Sequence, residues 1–152
     1  MNLTVSRNKI RNFTEYVDDW DTGVQRTRHI GTSNLSFSPA IISGGRLTWL
    51  FAKDLRFMLD SRFVGRQYID NTSEVSRSLD PYWINNITFT WTLRAPKLNE
   101  MLVFLQINNL LNHQYETNAW VYSYYYEGQR NTMDGYFPQA GINFMGGIRF
   151  RL

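Results

Sequence analysis

Alternation of apolar and polar residues at a period of two constrains this chain more than any other feature. Within residues 83–93, Ile87, Phe89, Trp91 and Leu93 fall on one side, and Asn86, Thr88, Thr90 and Thr92 fall on the other. Successive side chains of a strand point to opposite faces, whereas a helix would scatter these residues around its axis. The last ten residues, 143–152, repeat the pattern. Phe144, Gly146, Ile148, Phe150 and Leu152 share one face, and Met145, Gly147, Arg149 and Arg151 share the other. A strand that is apolar on one face and small or basic on the other suits a wall between lipid and water.

Four more segments carry the same period. Residues 2–8 alternate Leu3 and Val5 with Thr4, Ser6 and Asn8. Residues 34–51, broken near Pro39 because proline cannot donate to a ladder, set Ile41, Leu47, Trp49 and Phe51 against Ile42, Gly44, Arg46 and Thr48. Residues 55–68 set Leu55, Phe57, Leu59 and Phe63 against Arg56, Asp60, Arg62 and Arg66, and residues 101–110 set Val103, Leu105 and Ile107 against Phe104, Gln106 and Asn108. The expectation is an all-β antiparallel meander of about six strands. Long polar stretches at 9–32, 69–81 and 112–139 alternate with short connections at 52–54 and 94–100, so the long ones all leave from one end. That is the loop parity of an outer-membrane barrel, whose chain ends on the periplasmic side.

Composition agrees with that class. Aromatic residues make up 16% of the chain and charged residues only 19%. The longest apolar run, 101–105, is far short of the ~18 residues of a spanning helix, while barrel strands need only ~10 residues of alternating character. With no cysteine, a disulfide framework, a thiol nucleophile and a cysteine zinc site are all excluded. The net charge of +3 comes from scattered arginines rather than a basic block, so nothing resembles a nucleic-acid footprint. The first residues contain no basic segment followed by an apolar one, as a secretory signal would require. Six strands are also too few to close a barrel, and an open sheet in lipid leaves edge groups unpaired at several kcal/mol each. The chain is therefore expected to be the C-terminal part of a larger barrel, with Met1 an internal or artificial start.

Five motifs then carry a resemblance. They are Ser36-Phe37-Ser38-Pro39, Gly65-Arg66-Gln67-Tyr68-Ile69-Asp70-Asn71-Thr72, Leu79-Asp80-Pro81-Tyr82, Gln106-Ile107-Asn108-Asn109-Leu110-Leu111-Asn112 with Tyr115, and Tyr136-Phe137-Pro138-Gln139-Ala140-Gly141. In this order, over about residues 36–152, the sequence resembles the C-terminal end of TonB-dependent outer-membrane receptors of the Bacteroidetes type. It departs from the family's usual aromatic terminus, since Arg151 and Leu152 follow Phe150. The resemblance implies a 22-stranded transmembrane β-barrel around an N-terminal plug, with the plug and the N-terminal strands outside this sequence. It implies energy-coupled uptake of a scarce ligand (an iron chelate, cobalamin or an oligosaccharide) across the cell outer membrane. The implied partners are outer-membrane lipid, the TonB complex acting through the plug, the small-molecule or oligosaccharide ligand, and a surface lipoprotein. No nucleic acid, cofactor or enzymatic activity is implied. Two rivals remain: a soluble β-sandwich binding module, and a non-transporting outer-membrane barrel such as an adhesin or an enzyme barrel.

Candidate functional residues follow from these faces. Within the aromatic-rich stretch from Tyr115 to Phe137, Trp120, Tyr122, Tyr124 and Arg130 are the candidates for ligand contact, because Tyr and Trp offer rigid area for stacking. The bland alternative for this stretch is an interfacial girdle or self-packing of the loop. Arg46, Arg56, Arg62, Arg66, Arg149 and Arg151 are expected to line the lumen, where they would attract an anionic ligand or, more simply, pair with the plug or with Asp60. Phe144, Ile148, Phe150 and Leu152 are expected to form the barrel-assembly signal. The run Asp18-Asp19-Trp20-Asp21-Thr22-Gly23 lacks the full spacing of a calcium loop and is expected to be a solvated outer loop. His29 and His113 stand alone, so no metal site is proposed.

Overall fold

Leu47, Leu59, Ile87, Ile107 and Phe144 lie in a single row, each opposite the next across five strands. The row two residues further along is Trp49, Phe57, Phe89, Leu105 and Gly146, and the one after it is Leu55, Trp91, Val103 and Ile148. The period-two pattern of separate segments is thus brought into register as one continuous apolar face. In the computed structural model, which describes residues 1–95 and 98–151, that face belongs to a six-stranded antiparallel sheet.

Its strands are β1 (Asn2–Val5), β4 (Ile41–Ala52), β5 (Leu55–Val64), β8 (Tyr82–Ala95), β9 (Leu98–Asn108) and β12 (Asn143–Arg151), neighbouring one another in that order. The meander expected from sequence is therefore present. No sheet among the described residues closes into a barrel, and β1 and β12 are its two free edges. The apolar face is open: Leu47 is 62% exposed, Phe144 67% and Ile148 59%. From Trp83 to Leu93 a strand rising ~3.4 Å per residue covers about 34 Å, which a tilt of ~40° projects to about 26 Å. The opposite face carries rows such as Arg46, Asp60 and Asn86, or Thr48, Met58, Thr88, Gln106 and Met145.

The two long stretches at 9–32 and 112–139 are not irregular, which corrects the sequence reading. The first is a hairpin of β2 (Lys9–Asp19) and β3 (Val24–Asn34), and the second a hairpin of β10 (Glu116–Tyr126) and β11 (Gln129–Pro138). The period was hidden in β2 by two register shifts, between Ile10 and Phe13 and between Phe13 and Thr14, with Asn12 at φ 55°. It was hidden further because the covered face of β2 carries Glu15 and Asp19 beside Val17. In the second hairpin, Glu127 and Gly128 both take positive φ, 52° and 70°, the signature of a two-residue type I′ turn.

The third long stretch holds β6 (Gln67–Tyr68), a 3₁₀ turn at Val75–Arg77, and β7 (Ser78–Leu79), and β6 and β7 pair with each other. The strand expected over 55–68 therefore stops at Val64, with one last rung beyond it where Gly65 donates its N–H to the carbonyl of Ile41, the residue opposite in register. Likewise β4 begins only at Ile41, so residues 35–40 are a connection rather than a broken strand. All three excursions leave the six-stranded sheet at the end marked by the pairs Val5–Ile41, Val64–Tyr82 and Asn108–Asn143. At the other end, β4 and β5 are joined tightly, and Arg94 bonds Asp54 there at 2.6 Å. Pro96, expected in the other short turn, lies outside the described residues, as does Leu152.

No helix of the described residues is long and apolar enough to cross a membrane, which has no bearing on a membrane crossed by strands.

Candidate functional site

The two long hairpins meet at their tips. β2 and β10 run parallel and pair only at Asp18–Tyr124 and Asp19–Tyr125, which makes one four-stranded sheet in the order β11-β10-β2-β3. The Trp20 N–H donates to the Tyr125 carbonyl at 2.9 Å. Asp21 accepts the N–H groups of Glu127 and Gly128 at 2.9 and 2.8 Å, so one hairpin's turn holds the other's. Asp19 is only 3% exposed; it accepts the N–H groups of Asp21 and Thr22 and pairs with Arg26 at 2.6 Å. The acidic run is therefore a joint rather than a solvated loop: its carboxylates satisfy turn amides that would otherwise be orphaned. No group of metal-binding residues occurs among the described residues.

Away from the tips, towards the six-stranded sheet, β2 and β10 separate and leave a cleft of about 420 Å³. Its floor is the third excursion, at Ile69–Thr72 and Arg77, and its rim includes Tyr16, Asp18, Gln25 and Tyr122. Ile69 and Leu79 form a small apolar core with Ala119 and Val121, which seats that floor under β10. The base of β3 is fastened to it as well, through the Asn34 N–H to Ser73 Oγ at 2.6 Å and the Ser36 N–H to Asn71 Oδ1 at 2.7 Å.

One charge network unites the three excursions beneath this cleft. Glu15, 9% exposed, accepts Arg28 at 2.9 Å, Arg77 at 3.2 Å and Arg130 at 2.5 Å. Arg77, 7% exposed, also reaches Asp70 at 2.8 Å, Ser123 Oγ at 2.6 Å and Thr132 Oγ1 at 3.3 Å. Glu74 takes Arg28 at 2.5 Å and Arg77 at 3.3 Å. Three guanidiniums and three carboxylates balance, as buried charge requires.

The outward face of the four-stranded sheet is aromatic. Trp20 stacks on Tyr124 with ring centroids 4.0 Å apart and planes at 17°, and Tyr122 lies 5.9 Å from Tyr124 at 21°. The Tyr122 hydroxyl donates to Asp18 at 2.7 Å, and the Gln25 amide donates to the other Asp18 oxygen at 2.9 Å. Those two bonds, the Gln25 one first, hold the Asp18 carboxyl below its ordinary range, and the same bond to Asp18 raises the Tyr122 phenol.

Of the four residues singled out for ligand contact, Tyr122 and Tyr124 sit together on this face with Trp20. Trp120 is on the same face, with its ring laid across Gly135 on β11. Arg130 is on the other face, within the Glu15 network. Glu15, Asp70, Glu74 and Arg77 were missed. A lone carboxylate in a polar stretch carries no local mark that three arginines will converge on it. The signal for Tyr16 and Trp20 was their aromatic character within the stretch taken as a loop.

Among the arginines expected in the lumen, Arg46 pairs with Asp60 at 2.6 Å. Arg56, Arg62, Arg149 and Arg151 lie on the face opposite the apolar rows. Arg66 lies past the end of β5 and pairs with Asp80 at 3.2 Å. Phe144, Ile148 and Phe150 are exposed along β12, on the apolar face.

No family model matches this chain, and no curated protein matches it.

Proposed function

We propose that this chain is the C-terminal wall and outer loops of a TonB-dependent outer-membrane receptor, which captures a scarce ligand outside the cell and passes it inward without covalent chemistry. The observation that carries the proposal is the pairing of two features in one object. An uncovered apolar face continues in register across five strands, and three long excursions gather at one end of the same sheet. Lipid is the solvent that leaves such a face unpenalised, and an outer rim is where a barrel keeps its long loops. A soluble sandwich would need a second sheet over the apolar rows, and among the described residues none lies there. The remaining strands, the plug and the TonB contact belong, on this reading, to a longer protein. The free edges of β1 and β12 are where those strands would pair.

The test is fractionation and folding of the product of the gene that encodes this chain. The expected result is recovery in the outer membrane, extraction only by detergent, and a shift in gel migration between unheated and boiled samples. A product that is monomeric and cooperatively folded in buffer without detergent overturns the proposal.

A further inference from the structure

The cleft between β2 and β10 has a chemical character of its own. It carries three carboxylates, Glu15, Asp18 and Asp70, against one guanidinium, Arg77. Arg77 is spent: Nη1 faces Glu15 and Asp70, Nη2 donates to Ser123 and Thr132, and Nε faces Glu74. The neighbouring arginines are committed too, Arg26 to Asp19 and the Tyr125 ring, and Arg28 and Arg130 to Glu15. Those arginines neutralise Glu15 and Asp70, so an anionic ligand entering here would meet the Asp18 carboxylate, held only by the uncharged Gln25 and Tyr122, with no free cation among the described lining residues to pair with, a juxtaposition that rejects it. What the cleft does offer is flat aromatic area and hydrogen-bonding capacity. Tyr16 is 65% exposed and Tyr122 38%. Asp18 accepts one bond on each oxygen, so a carboxylate with about four acceptor sites has about two left. Asn71 spends its Oδ1 on the Ser36 N–H, which leaves its NH₂ pointed at no partner among the described residues.

We propose that this cleft binds an uncharged sugar unit, with a pyranose face stacked on Tyr122 and Tyr16, its hydroxyls donating to Asp18 and accepting from Asn71. The assignment narrows the receptor reading above and rests on it. A volume of about 420 Å³ falls in the range of ~300–1,000 Å³ typical of small-ligand sites. Stacking supplies area that tolerates the ring's hydrogens, and the paired acceptor and donor read hydroxyls, which a purely apolar pocket cannot do. The Glu15 network under the cleft fixes these groups before the ligand arrives, so little ordering remains to be done on binding.

The experiment is equilibrium binding to outer-membrane vesicles from cells expressing the gene that encodes this chain. The probes are a panel of neutral oligosaccharides, a ferric tris-catecholate as the anionic probe and a quaternary ammonium as the cationic one. The expected result is saturable binding of at least one neutral oligosaccharide, weakened about tenfold or more by Asp18→Asn and by Tyr16→Ala, the latter an exposed side chain whose loss leaves the joint intact. Saturable binding of the tris-catecholate or the ammonium alone, or no binding by any neutral oligosaccharide, overturns the sugar assignment. In those outcomes a protein still recovered in the outer membrane leaves the receptor reading standing. A protein absent from that membrane removes both.

Discussion

The Arg77 guanidinium donates to the Glu15 carboxylate at 3.2 Å across 62 residues of sequence, and both side chains are almost wholly covered, 8% and 11% exposed. Through this one contact the floor of the cleft is tied to β2, and Glu15 carries the tie on to Arg28 of β3 and Arg130 of β11. The three excursions are thereby joined through a single carboxylate.

Removing one partner of a covered ion pair leaves the other charge uncompensated, at about 3–5 kcal/mol. Arg77→Met is expected to loosen the cleft floor by about that amount while the six-stranded sheet is unaffected. Hydrogen exchange should rise in residues 69–79 and in β10, and stay unchanged in β8 and β9. Uniform acceleration along the chain would contradict the joint. A double-mutant cycle of Glu15→Gln with Arg130→Met should give a coupling well above that of an exposed pair, which is typically below ~1 kcal/mol.

A second prediction concerns the two faces of the six-stranded sheet. Phe89 belongs to the apolar rows and Thr90, its neighbour in sequence, to the opposite face. If the apolar face meets lipid as proposed, an arginine there costs about 2–4 kcal/mol near the bilayer midplane, whereas the opposite face would accept it. Phe89→Arg is expected to abolish the heat-dependent gel shift or sharply lower the yield in the outer membrane, and Thr90→Arg to leave both near wild type. Equal damage from the two changes would remove the basis for assigning the faces.

The tip joint has a pH dependence whose sign is set by its carboxylates. Asp18 is held below the ordinary value by Gln25 and Tyr122. For Asp19, burial pushes the other way, but Arg26 and the amides of Asp21 and Thr22 outweigh it, so it too is low. A carboxyl whose folded pKa is depressed contributes stability that is present above its unfolded value, about 3.9, and is lost as pH falls through the lower folded value. The near-ultraviolet circular dichroism of the Trp20–Tyr124 stack should therefore be flat from neutral pH to about 5 and collapse only below about 4. Asp18→Asn should shrink that transition. A collapse near pH 6 would point to a different titrating group.

Gly135 predicts a packing conflict. A Cβ built there would collide with Trp120 Nε1 and lie 2.8 Å from Cε2, so Gly135→Ala must displace the indole. Because Trp120 is 46% exposed and can swing outward, the cost is expected near 1 kcal/mol, the low end for overpacking, accompanied by a red shift of Trp120 emission. Adding Trp120→Ala should make Gly135→Ala nearly neutral. A full cost persisting in the double variant would place the strain in the backbone instead.

The strands of the six-stranded sheet were legible because their chemistry is one-sided. Ile87, Phe89, Trp91 and Leu93 share one environment and Thr88, Thr90 and Thr92 another, and a period of two is the only way to satisfy both. The hairpin of β10 and β11 was also readable in principle, since Glu127-Gly128 stands between two runs of aromatic and polar alternation, but tyrosine on both faces masked the contrast. The hairpin of β2 and β3 was not readable by period, because its covered face is stabilised by ion pairs at Glu15 and Asp19, and a charged residue looks the same in sequence whether it is solvated or paired.

The sequence by itself determined the local alternation, the breaks at turns, and the end of the sheet from which the long connections leave. These depend on neighbours in the chain, and two-fold periodicity is a local property. Only the tertiary structure decided that Glu15, Asp70, Glu74, Arg28, Arg77 and Arg130 converge, that Asp21 grips the turn of the other hairpin, and that β2 and β10 pair briefly and then part to open a cleft. Each of those contacts joins residues far apart in the chain. Its energy comes from charges and amides matched in space, for which no periodicity along the chain is required.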